Sequence, residues 1–307
     1  MRALNWEADH GDWPNTEFSS FEQADGLRWH VQRMGQGPPL LLLHGTGAST
    51  HSWATLAPRL ARRFSIIAPD LPGHGFSEPL PRSRLSLPGM AASLARLLDT
   101  LSIRPRLVVG HSAGAAILLR CCLDRTLTPD AMISINGALL PFRGAAGMLF
   151  PPMARLLFAN SLAARILAGR GGDRDRVLRL IRGTGSDLDS AGIQRYARLF
   201  SCPGHVAATL GMMASWNLQR LSRDLPGLRT PLMLIVGEND RAVAPSEATR
   251  IKAMLPTALL EPLAGLGHLA HEEDPALVEA SILTFAVQHL TDKKRQGEEG
   301  EEQECRS

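Results

Sequence analysis

Short uninterrupted apolar runs recur along most of the chain and predict buried β-strands. They span residues 40–43, 65–68, 107–109, 131–135 and 232–236. Parallel strands that are covered on both faces show such runs, because neither face meets water. Residues 27–32 instead alternate apolar and polar side chains, which predicts a strand with one exposed face, and residues 258–263 form a further short apolar segment.

Segments with helical periodicity lie between and after these runs. They cover residues 53–62, 87–101, 113–122, 246–254 and 276–290. Strands that alternate with helices are typical of an α/β fold, with a mostly parallel sheet flanked by helices. Between residues 136 and 232 the periodicity is helical only. We therefore predict an α/β core from residues 1–136 and 223–290, with residues 137–222 inserted as a helical lid.

The charged residues are distributed unevenly. The 307 residues include 33 Lys and Arg against 30 Asp and Glu, a net charge of +3 that is too small to favour a nucleic-acid partner. Residues 291–307 carry six acidic and four basic side chains and almost nothing apolar, so we expect a disordered tail there. Residues 131–172 contain no Asp or Glu but four arginines, and this acid-free stretch falls largely in the predicted lid.

Several common kinds of site and signal find no support in the sequence. It contains no P-loop and no Gly-x-Gly-x-x-Gly pattern of a nucleotide site. The four cysteines have neither zinc-site nor disulfide-like spacing, which favours a reducing compartment. The first residues lack the apolar core of a signal peptide, and no apolar run reaches the length of a membrane span. We therefore expect a cytoplasmic protein without cofactor or metal.

Ser112 has the surroundings of a catalytic nucleophile. It is the centre of the sequence Gly-His-Ser-Ala-Gly at residues 110–114, between a predicted strand and a predicted helix. In a Gly-x-Ser-x-Gly turn the serine occupies a strained position, and the glycines let strand and helix approach closely. The pattern alone is a weak indication, but its place after an apolar strand makes it specific. A helix-starting serine without a catalytic role is the alternative interpretation.

A serine hydroxyl becomes a good nucleophile only when a base takes its proton and a carboxylate orients that base. Asp240 follows the apolar run at residues 232–236, and His268 lies in a loop before the last predicted helix. We predict that Ser112, Asp240 and His268 form a catalytic triad. The backbone amides of Thr46, in a glycine-flanked turn after a strand, and Ala113 are the predicted oxyanion hole.

Five motifs in order resemble the α/β-hydrolase superfamily over residues 20–290. They are His-Gly-Thr-Gly at 44–47, Asp-Leu-Pro-Gly-His-Gly-Phe-Ser at 70–77, Gly-His-Ser-Ala-Gly at 110–114, Gly-Glu-Asn-Asp at 237–240 and Gly-His at 267–268. The order serine, aspartate, histidine is also that of the superfamily. The resemblance implies the α/β-hydrolase fold and an ester-cleaving serine hydrolase with an acyl-enzyme intermediate. A serine rather than an aspartate at residue 112 argues against dehalogenase or epoxide hydrolase chemistry.

Residues 13–15, 26–32 and 44–53 also resemble the magnesium chelatase accessory proteins of bacteriochlorophyll biosynthesis. That family is implicated in magnesium insertion into protoporphyrin, but the resemblance brings no established reaction. It leaves two functions to compare. One is a serine hydrolase that acts at or near this step, and the other is a non-catalytic accessory protein that binds or carries a tetrapyrrole for the magnesium chelatase subunits.

The acid-free stretch is a candidate surface for the substrate. Apolar side chains edged by arginines would suit a flat, apolar molecule that bears carboxylates, because arginine binds a carboxylate in a bidentate manner. The residues that we predict to bind substrate are Arg143, Phe150, Met153, Arg155, Leu157 and Phe158. A lid that merely covers the pocket, and a peripheral contact with the inner membrane surface, are the other interpretations.

Further histidines near the predicted triad have structural interpretations. His271 lies three residues after His268, a spacing that suits a metal pair, but no third ligand accompanies them. We expect His271 and the acidic residues after it to begin the last helix, where negative charge is favourable. His44 and His111 are expected to shape the loops around Ser112, and residues 70–77 to form a structural turn.

Overall fold

An eight-stranded sheet forms the centre of the computed structural model, which describes residues 4–141 and 161–304. The strands lie in the order β1-β2-β4-β3-β5-β6-β7-β8. Strand β2 is antiparallel to both of its neighbours, and all the other pairs are parallel. The strands are β1 (Ser19–Ala24), β2 (Leu27–Met34), β3 (Pro39–Leu43), β4 (Ser65–Pro69), β5 (Leu107–His111), β6 (Ala131–Ile135), β7 (Leu232–Gly237) and β8 (Leu259–Leu263).

Helices cover both faces of the sheet. The α-helices are α1 (Trp6–Asp9), α2 (Leu56–Leu60), α3 (Leu87–Thr100), α4 (Ala113–Leu123), α5 (Ser161–Gly171), α6 (Arg174–Gly183), α7 (Ser190–Phe200), α8 (Pro203–Ser215), α9 (Gln219–Asp224), α10 (Ser246–Met254), α11 (Ala270–Glu273) and α12 (Pro275–Glu304). Short 3-10 turns add Thr16–Phe18, Thr50–Trp53, Arg82–Arg84 and Leu225–Gly227. The predicted α/β fold, with a mostly parallel sheet flanked by helices, is confirmed.

Strand β3 shows why the central strands are apolar without interruption. Leu41 and Leu43 pack into the layer that contains α3 and α4. Leu40 and Leu42 point to the opposite face and pack with α2 and α12. All four leucines are completely buried. An alternating polar position would therefore place an unsatisfied group in one of the two apolar layers.

The edge strand β1 was not predicted. Its sequence, Ser-Ser-Phe-Glu-Gln-Ala, holds little apolar surface, because most of its side chains lie at the rim of the sheet. It pairs with β2 through a two-residue turn at Asp25 and Gly26, which both have positive φ. An Asp-Gly pair is a strong hairpin signal. That pair is the feature from which the strand could have been found.

The prediction of a half-exposed strand at residues 27–32 was wrong about exposure. The polar side chains of His30 and Gln32 are completely buried in β2. Both have hydrogen-bond partners, since His30 Nδ1 lies 2.8 Å from Asp70 Oδ2 and Gln32 Nε2 donates to the Pro14 carbonyl at 2.8 Å. The ring of Trp6 also packs on the His30 ring. The N-terminal segment thus covers the face that the sequence pattern assigned to solvent.

Two predicted helices have different bounds in the structure. The segment 53–62 divides into the 3-10 turn Thr50–Trp53 and the short helix α2. The last helix was expected to end at residue 290, before a disordered tail, but its helical backbone continues to Glu304. Glu, Lys, Gln and Arg are good helix formers, so local propensity favours continuation even where the sequence has little apolar surface to bury.

Between β6 and β7 the described residues are helical only, as the periodicity predicted. Helices α5 to α9, here called the helical insertion, follow one another over this part of the chain. The apolar faces of α6 and α7 meet the core through a small cluster formed by Val177, Ile181, Ile193, Tyr196, Ala197, Ala48 and Leu269. The insertion is therefore attached beside two loops, those of Ala48 and Leu269.

Helix α4 lies unusually close to strand β3 at Gly114. A Cβ atom added there would stand 2.2 Å from the carbonyl oxygen of Leu43 and 2.5 Å from that of His44. Backbone atoms cannot give way as a flexible side chain can. Only glycine therefore allows this separation of helix and strand.

We predict that Gly114→Ala lowers the free energy of unfolding by about 1–3 kcal/mol or more, because the added methyl group forces α4 away from β3. Gly169→Ala in α5 is the matched control. A Cβ at Gly169 meets nothing within 4 Å, so this variant should be neutral or stabilised by about 0.5–1 kcal/mol. Urea unfolding followed by circular dichroism measures both. Equal stability of the two variants would contradict the packing described.

Candidate active site

Ser112 sits at the junction of β5 and α4 in a strained backbone conformation. Its φ is 51° and its ψ is −116°, outside the regions that suit an L-residue with a side chain. A Cβ on Gly110 would lie 2.5 Å from the amide nitrogen of Ala115, so the turn also requires a glycine at that position. The tight turn leaves Ser112 half-buried at the carboxyl end of the central strand.

Asp240 and His268 follow the carboxyl ends of β7 and β8, which are neighbours in the sheet, and are joined by a hydrogen bond. His268 Nδ1 donates to Asp240 Oδ2 at 2.8 Å, and the Asp240 side chain is completely buried. The other carboxylate oxygen, Oδ1, accepts hydrogen bonds from the amides of Ala242 at 2.7 Å and Val243 at 2.9 Å. The aspartate thereby fixes a tautomer in which Nε2 of His268 carries no proton. His271, the competing histidine, does not take part in this pair.

His111 links the serine turn to the histidine loop. Its Nε2 donates to the carbonyl oxygen of His268 at 2.9 Å, and the two imidazole rings lie 4.7 Å apart. In the described part of the chain, Ser112 Oγ and His268 Nε2 form no hydrogen bond. Such contacts are often long before substrate binds, so their absence does not disqualify the pair. The expectation that His111 shapes the loops is met.

The turn at residues 44–47 lies directly against Ser112. A Cβ on Gly45 would stand 3.0 Å from the Ser112 Cβ. Ala113 is the first residue of α4, where helix amides lack an internal partner. Within residues 4–141 and 161–304, the amides of Thr46 and Ala113 donate no hydrogen bond. Both are therefore available to an oxyanion at the serine, although the role itself stays a prediction.

Asn136 is a residue of the site that sequence reasoning missed. It follows β6 with φ 47°, a left-handed conformation that asparagine tolerates better than most residues. Its Nδ2 donates to the carbonyls of Gly267 and His268 at 2.9 Å each, and its Oδ1 accepts from the Gly237 amide at 2.8 Å. One buried side chain therefore holds the strand before Asp240 and the loop of His268 in register. A lone asparagine after a strand carries no pattern that would reveal this.

Residues 184–187 of the helical insertion pack on the loops of Asp240 and His268. The Thr184 carbonyl accepts from the Arg241 amide at 3.0 Å, and Ser186 Oγ accepts from the Leu269 amide at 2.8 Å. Gly185 approaches so closely that a Cβ there would lie 1.8 Å from the Asn239 carbonyl oxygen. The insertion is thus anchored to the loops that carry the aspartate and the histidine.

Helix α8 covers the opposite side of the site. The Thr46 hydroxyl donates to Met212 Sδ at 3.4 Å, and His205 Nε2 donates to the Gly47 carbonyl at 3.1 Å. An apolar groove of about 210 Å³ opens between the insertion helices. Its lining includes Phe200 and Thr209, whose side chains both lie 3.6 Å from a Cβ position on Gly47. Apolar surface therefore continues up to the turn of Thr46.

The predicted substrate-binding residues of the acid-free stretch lie outside the described residues. This applies to Arg143, Phe150, Met153, Arg155, Leu157 and Phe158. Of the remaining arginines of that stretch, Arg165 is exposed on α5. The prediction for these side chains is neither confirmed nor contradicted.

The motif at residues 70–77 is structural, as expected. Although burial raises the pKa of Asp70, the adjacent His30 holds that pKa well below its usual range. The carboxylate accepts from the amides of Thr50 and Phe76, and the Leu71 amide donates to His44 Nε2 at 2.8 Å. The bonds to Thr50 and His44 hold the two ends of the turn that contains Thr46.

Within residues 4–141 and 161–290, no three His, Cys, Asp or Glu side chains converge to hold a metal ion. His271 is buried on its own one-turn helix, α11, rather than at the start of the last helix, and its Nε2 lies 2.7 Å from Ser52 Oγ. No helix among the described residues is long and apolar enough to cross a membrane.

Comparisons with known proteins agree with this architecture. A family model described as the Alpha/beta hydrolase family matches residues 40–281. The chain therefore belongs to the alpha/beta hydrolase family, and the resemblance drawn from its motifs is confirmed. An alpha/beta hydrolase fold protein from Burkholderia ambifaria superposes with a TM-score of 0.73 at 25% identity, covering 87% of this chain and 97% of that one.

A subunit of magnesium chelatase is among the similar proteins. The magnesium-chelatase 30 kDa subunit of Rhodobacter capsulatus is 42% identical over 263 residues, which cover 85% of this chain and 92% of the relative. The epoxide hydrolase CorEH superposes with a TM-score of 0.71 at 23% identity, over 88% of this chain and 98% of that one. At that identity the second likeness shows the shared fold alone.

We predict that Asn136→Asp destabilises the protein by at least about 1–3 kcal/mol, because two buried carbonyls lose their donor and face a carboxylate instead. Asn217→Asp is the matched control. Asn217 is exposed, and its Oδ1, which accepts from the Gln219 amide, is retained in aspartate. Thermal unfolding of both variants measures the difference. A loss in Asn136→Asp no larger than in the control would refute the role assigned to Asn136.

Proposed function

We propose that this protein is a serine hydrolase that cleaves an ester through an acyl-enzyme intermediate. The observation that carries the proposal is the hydrogen bond of 2.8 Å between His268 and the fully buried Asp240, next to the strained turn of Ser112. A buried carboxylate that orients an imidazole beside a serine at a strand–helix junction is the arrangement of a nucleophile with its base.

The proposed reaction follows from the orientation of each group. Ser112 Oγ attacks the ester carbonyl while Nε2 of His268 takes its proton, and Asp240 stabilises the resulting imidazolium. The amides of Thr46 and Ala113 hold the negative oxygen of the tetrahedral intermediate. His268 then returns the proton to the departing alcohol. Water, activated by the same imidazole, attacks the acyl-serine and releases the acid and free Ser112.

The similarity to the magnesium-chelatase 30 kDa subunit supports a place in bacteriochlorophyll biosynthesis, at or near magnesium insertion into protoporphyrin. The apolar groove beside the Thr46 turn supports an apolar substrate, either an ester or a tetrapyrrole that bears carboxylates. In this proposal residues 137–222 act as the lid, and most of the helical insertion lies within them. Magnesium chelatase subunits and the inner membrane surface are proposed as contacts in the cytoplasm.

A non-catalytic role is the second candidate. The relative's name describes a subunit of magnesium chelatase, not a hydrolase, and this observation favours an accessory protein that binds or carries a tetrapyrrole. In that case the groove would hold the macrocycle and Ser112 would have no reaction to perform. The two candidates differ in one property, which is the reactivity of the Ser112 hydroxyl.

We predict that a fluorophosphonate probe labels the wild-type protein, and that Ser112→Ala abolishes the labelling and also stops pigment formation in a strain that depends on this protein. Ser134→Ala is the matched control, because Ser134 is a buried serine whose Oγ has no partner within the described residues. The control should label normally. Normal pigment in the Ser112→Ala strain would reject the catalytic role and leave the accessory role.

We predict that Asp240→Asn lowers the rate of probe labelling by roughly 10⁴-fold, because an amide at this position favours the wrong imidazole tautomer. The fold should be retained, since Oδ1 can still accept from the amides of residues 242 and 243. Labelling kinetics give the rate, and circular dichroism checks the fold. Labelling of folded Asp240→Asn at the wild-type rate would contradict the role of the aspartate.

A further inference from the structure

A second carboxyl, that of Glu272, is 9% exposed and connects three separate parts of the molecule. Its Oε1 accepts from the hydroxyl of Tyr196 on α7 at 2.7 Å and from that of Ser52 at 2.5 Å. Glu272 itself lies on α11, four residues after His268. One oxygen therefore ties the helical insertion, the 3-10 turn after β3 and the histidine loop together. The set of Glu272, Tyr196 and Ser52 is called the Glu272 latch below.

We propose that the Glu272 latch is a positioning device that holds His268 in place through the helical insertion. The inference rests on the proposed function, since it assigns the latch an effect on the base of that same site. Glu272 touches no reacting atom in it. The carboxyl acts through the loop of which His268 is part. Tyr196 links the position of the helical insertion to that loop by its hydrogen bond to Glu272.

The hydrogen bonds around the histidine loop explain how the latch reaches His268. The Gly267 amide donates to Glu273 Oε1 at 3.0 Å, and Glu273 Oε2 accepts from the Asp187 amide at 3.3 Å. The Leu269 amide donates to Ser186. The residues on either side of His268 are thus bonded to the insertion or to the residue next to Glu272. In this proposal, loss of the Tyr196 hydrogen bond loosens the insertion and weakens its contacts with Glu273 and Leu269.

The apolar contacts around Tyr196 make the same connection. Tyr196 and Leu269 belong to one cluster with Ala48, close to the turn of Thr46. The Tyr196 ring also packs edge-on against the His51 ring at 4.6 Å. A tyrosine hydroxyl that lost its acceptor would be costly here, because Tyr196 is buried. The hydrogen bond to Glu272 therefore stabilises the packing of Tyr196 in this cluster.

The charge of the latch changes near neutral pH. Burial raises the pKa of Glu272 to about 7, against the hydrogen bonds from Ser52 and Tyr196, which lower it. The carboxyl borders a polar cavity of about 210 Å³, so its proton can exchange with solvent. The other titratable or charged groups that face it or line this cavity are Arg195 and Tyr196 from α7, His51 from the Thr50–Trp53 turn, His271 and Glu273 from α11, and Asp187 and Asp189 from the segment between α6 and α7.

The two histidines and the tyrosine among these groups are not expected to change their charge close to pH 7. Burial lowers the pKa of His271 to about 3 and that of His51 well below its usual range, so both imidazoles stay neutral. Burial also holds the pKa of Tyr196 well above its usual range. Arg195 lowers the pKa of Glu272, and Glu273 raises it. An ionised carboxylate accepts stronger hydrogen bonds from both hydroxyls than a protonated one does.

The variants that test the latch differ in one atom group each. Glu272→Ala removes the acceptor, Tyr196→Phe removes one donor, and Glu272→Gln keeps a neutral acceptor oxygen. Glu261→Gln is the control, because Glu261 accepts from Ser281 Oγ in the same way at 2.5 Å but lies on β8, outside the latch. Fluorophosphonate labelling gives the maximal rate and the apparent affinity separately. Hydrogen exchange of residues 267–273 reports the loop without any reaction.

We predict that Glu272→Ala and Tyr196→Phe lower the maximal labelling rate by about tenfold, with the apparent affinity unchanged, since a hydrogen bond to a charged group is worth about that factor. Glu272→Gln, which corresponds to the protonated carboxyl, should keep the rate that the wild type shows below pH 7 and should lack the step in the pH–rate profile near pH 7. Hydrogen exchange of residues 267–273 should speed up in the first two variants only. Glu261→Gln should behave as wild type in every measurement.

Each contrary outcome identifies a different error. A wild-type protein that labels, with Tyr196→Phe and Glu272→Gln indistinguishable from it in rate and pH profile, would overturn the latch. This holds even if Glu272→Ala does not fold. A wild-type protein that does not label would overturn the proposed function, and faster exchange at residues 267–273 in Tyr196→Phe would then still support the link between insertion and loop.

Unfolding provides a second, independent check on the charge of the latch. In the unfolded chain the pKa of Glu272 should lie near the ordinary value of 4.5, whereas burial in the folded protein raises it to about 7. Between these values the folded state binds a proton that the unfolded state has released, so wild-type stability should fall as pH rises from about 4.5 to about 7. Glu272→Gln should lack this part of the fall. Parallel pH profiles for the two proteins would contradict it.

Discussion

The contact on which the candidate site depends is the hydrogen bond between the fully buried carboxylate of Asp240 and the imidazole of His268. A carboxylate without exposure to water must be satisfied locally. Here two backbone amides bind one oxygen and the imidazole binds the other. These bonds fix the loop after β7 and place the His268 ring 4.7 Å from the ring of His111, the residue before Ser112. The remaining parts of the site serve to hold this geometry.

Three neighbouring structures hold it from different sides. Asn136 binds the histidine loop and the end of β7, and His111 binds the His268 carbonyl from the serine turn. The helical insertion adds Ser186 and Tyr196 from above. The insertion thus shares hydrogen bonds with the residues around His268. For this reason we expect a change in the insertion to alter the position of His268.

The sequence allowed the central sheet, the candidate triad and the helical nature of the insertion to be predicted. Uninterrupted apolar runs and the turn at Ser112 depend only on residues that are adjacent in the chain. They can therefore be read without knowing the tertiary structure. Asn136, Ser186 and Glu272 could not be found in this way, since each acts through partners far along the chain. The burial of His30 depends likewise on the N-terminal segment that packs over it. Hydrogen-bonded polar residues in the core leave no periodic trace.

A structure of the protein with a fluorophosphonate adduct would test the central claim most directly. We expect the phosphorus to be bonded to Ser112 Oγ, with its phosphoryl oxygen within hydrogen-bond distance of the amides of Thr46 and Ala113, and Nε2 of His268 directed at the ester oxygen. An adduct at another residue, or a phosphoryl oxygen that faces away from both amides, would contradict the account.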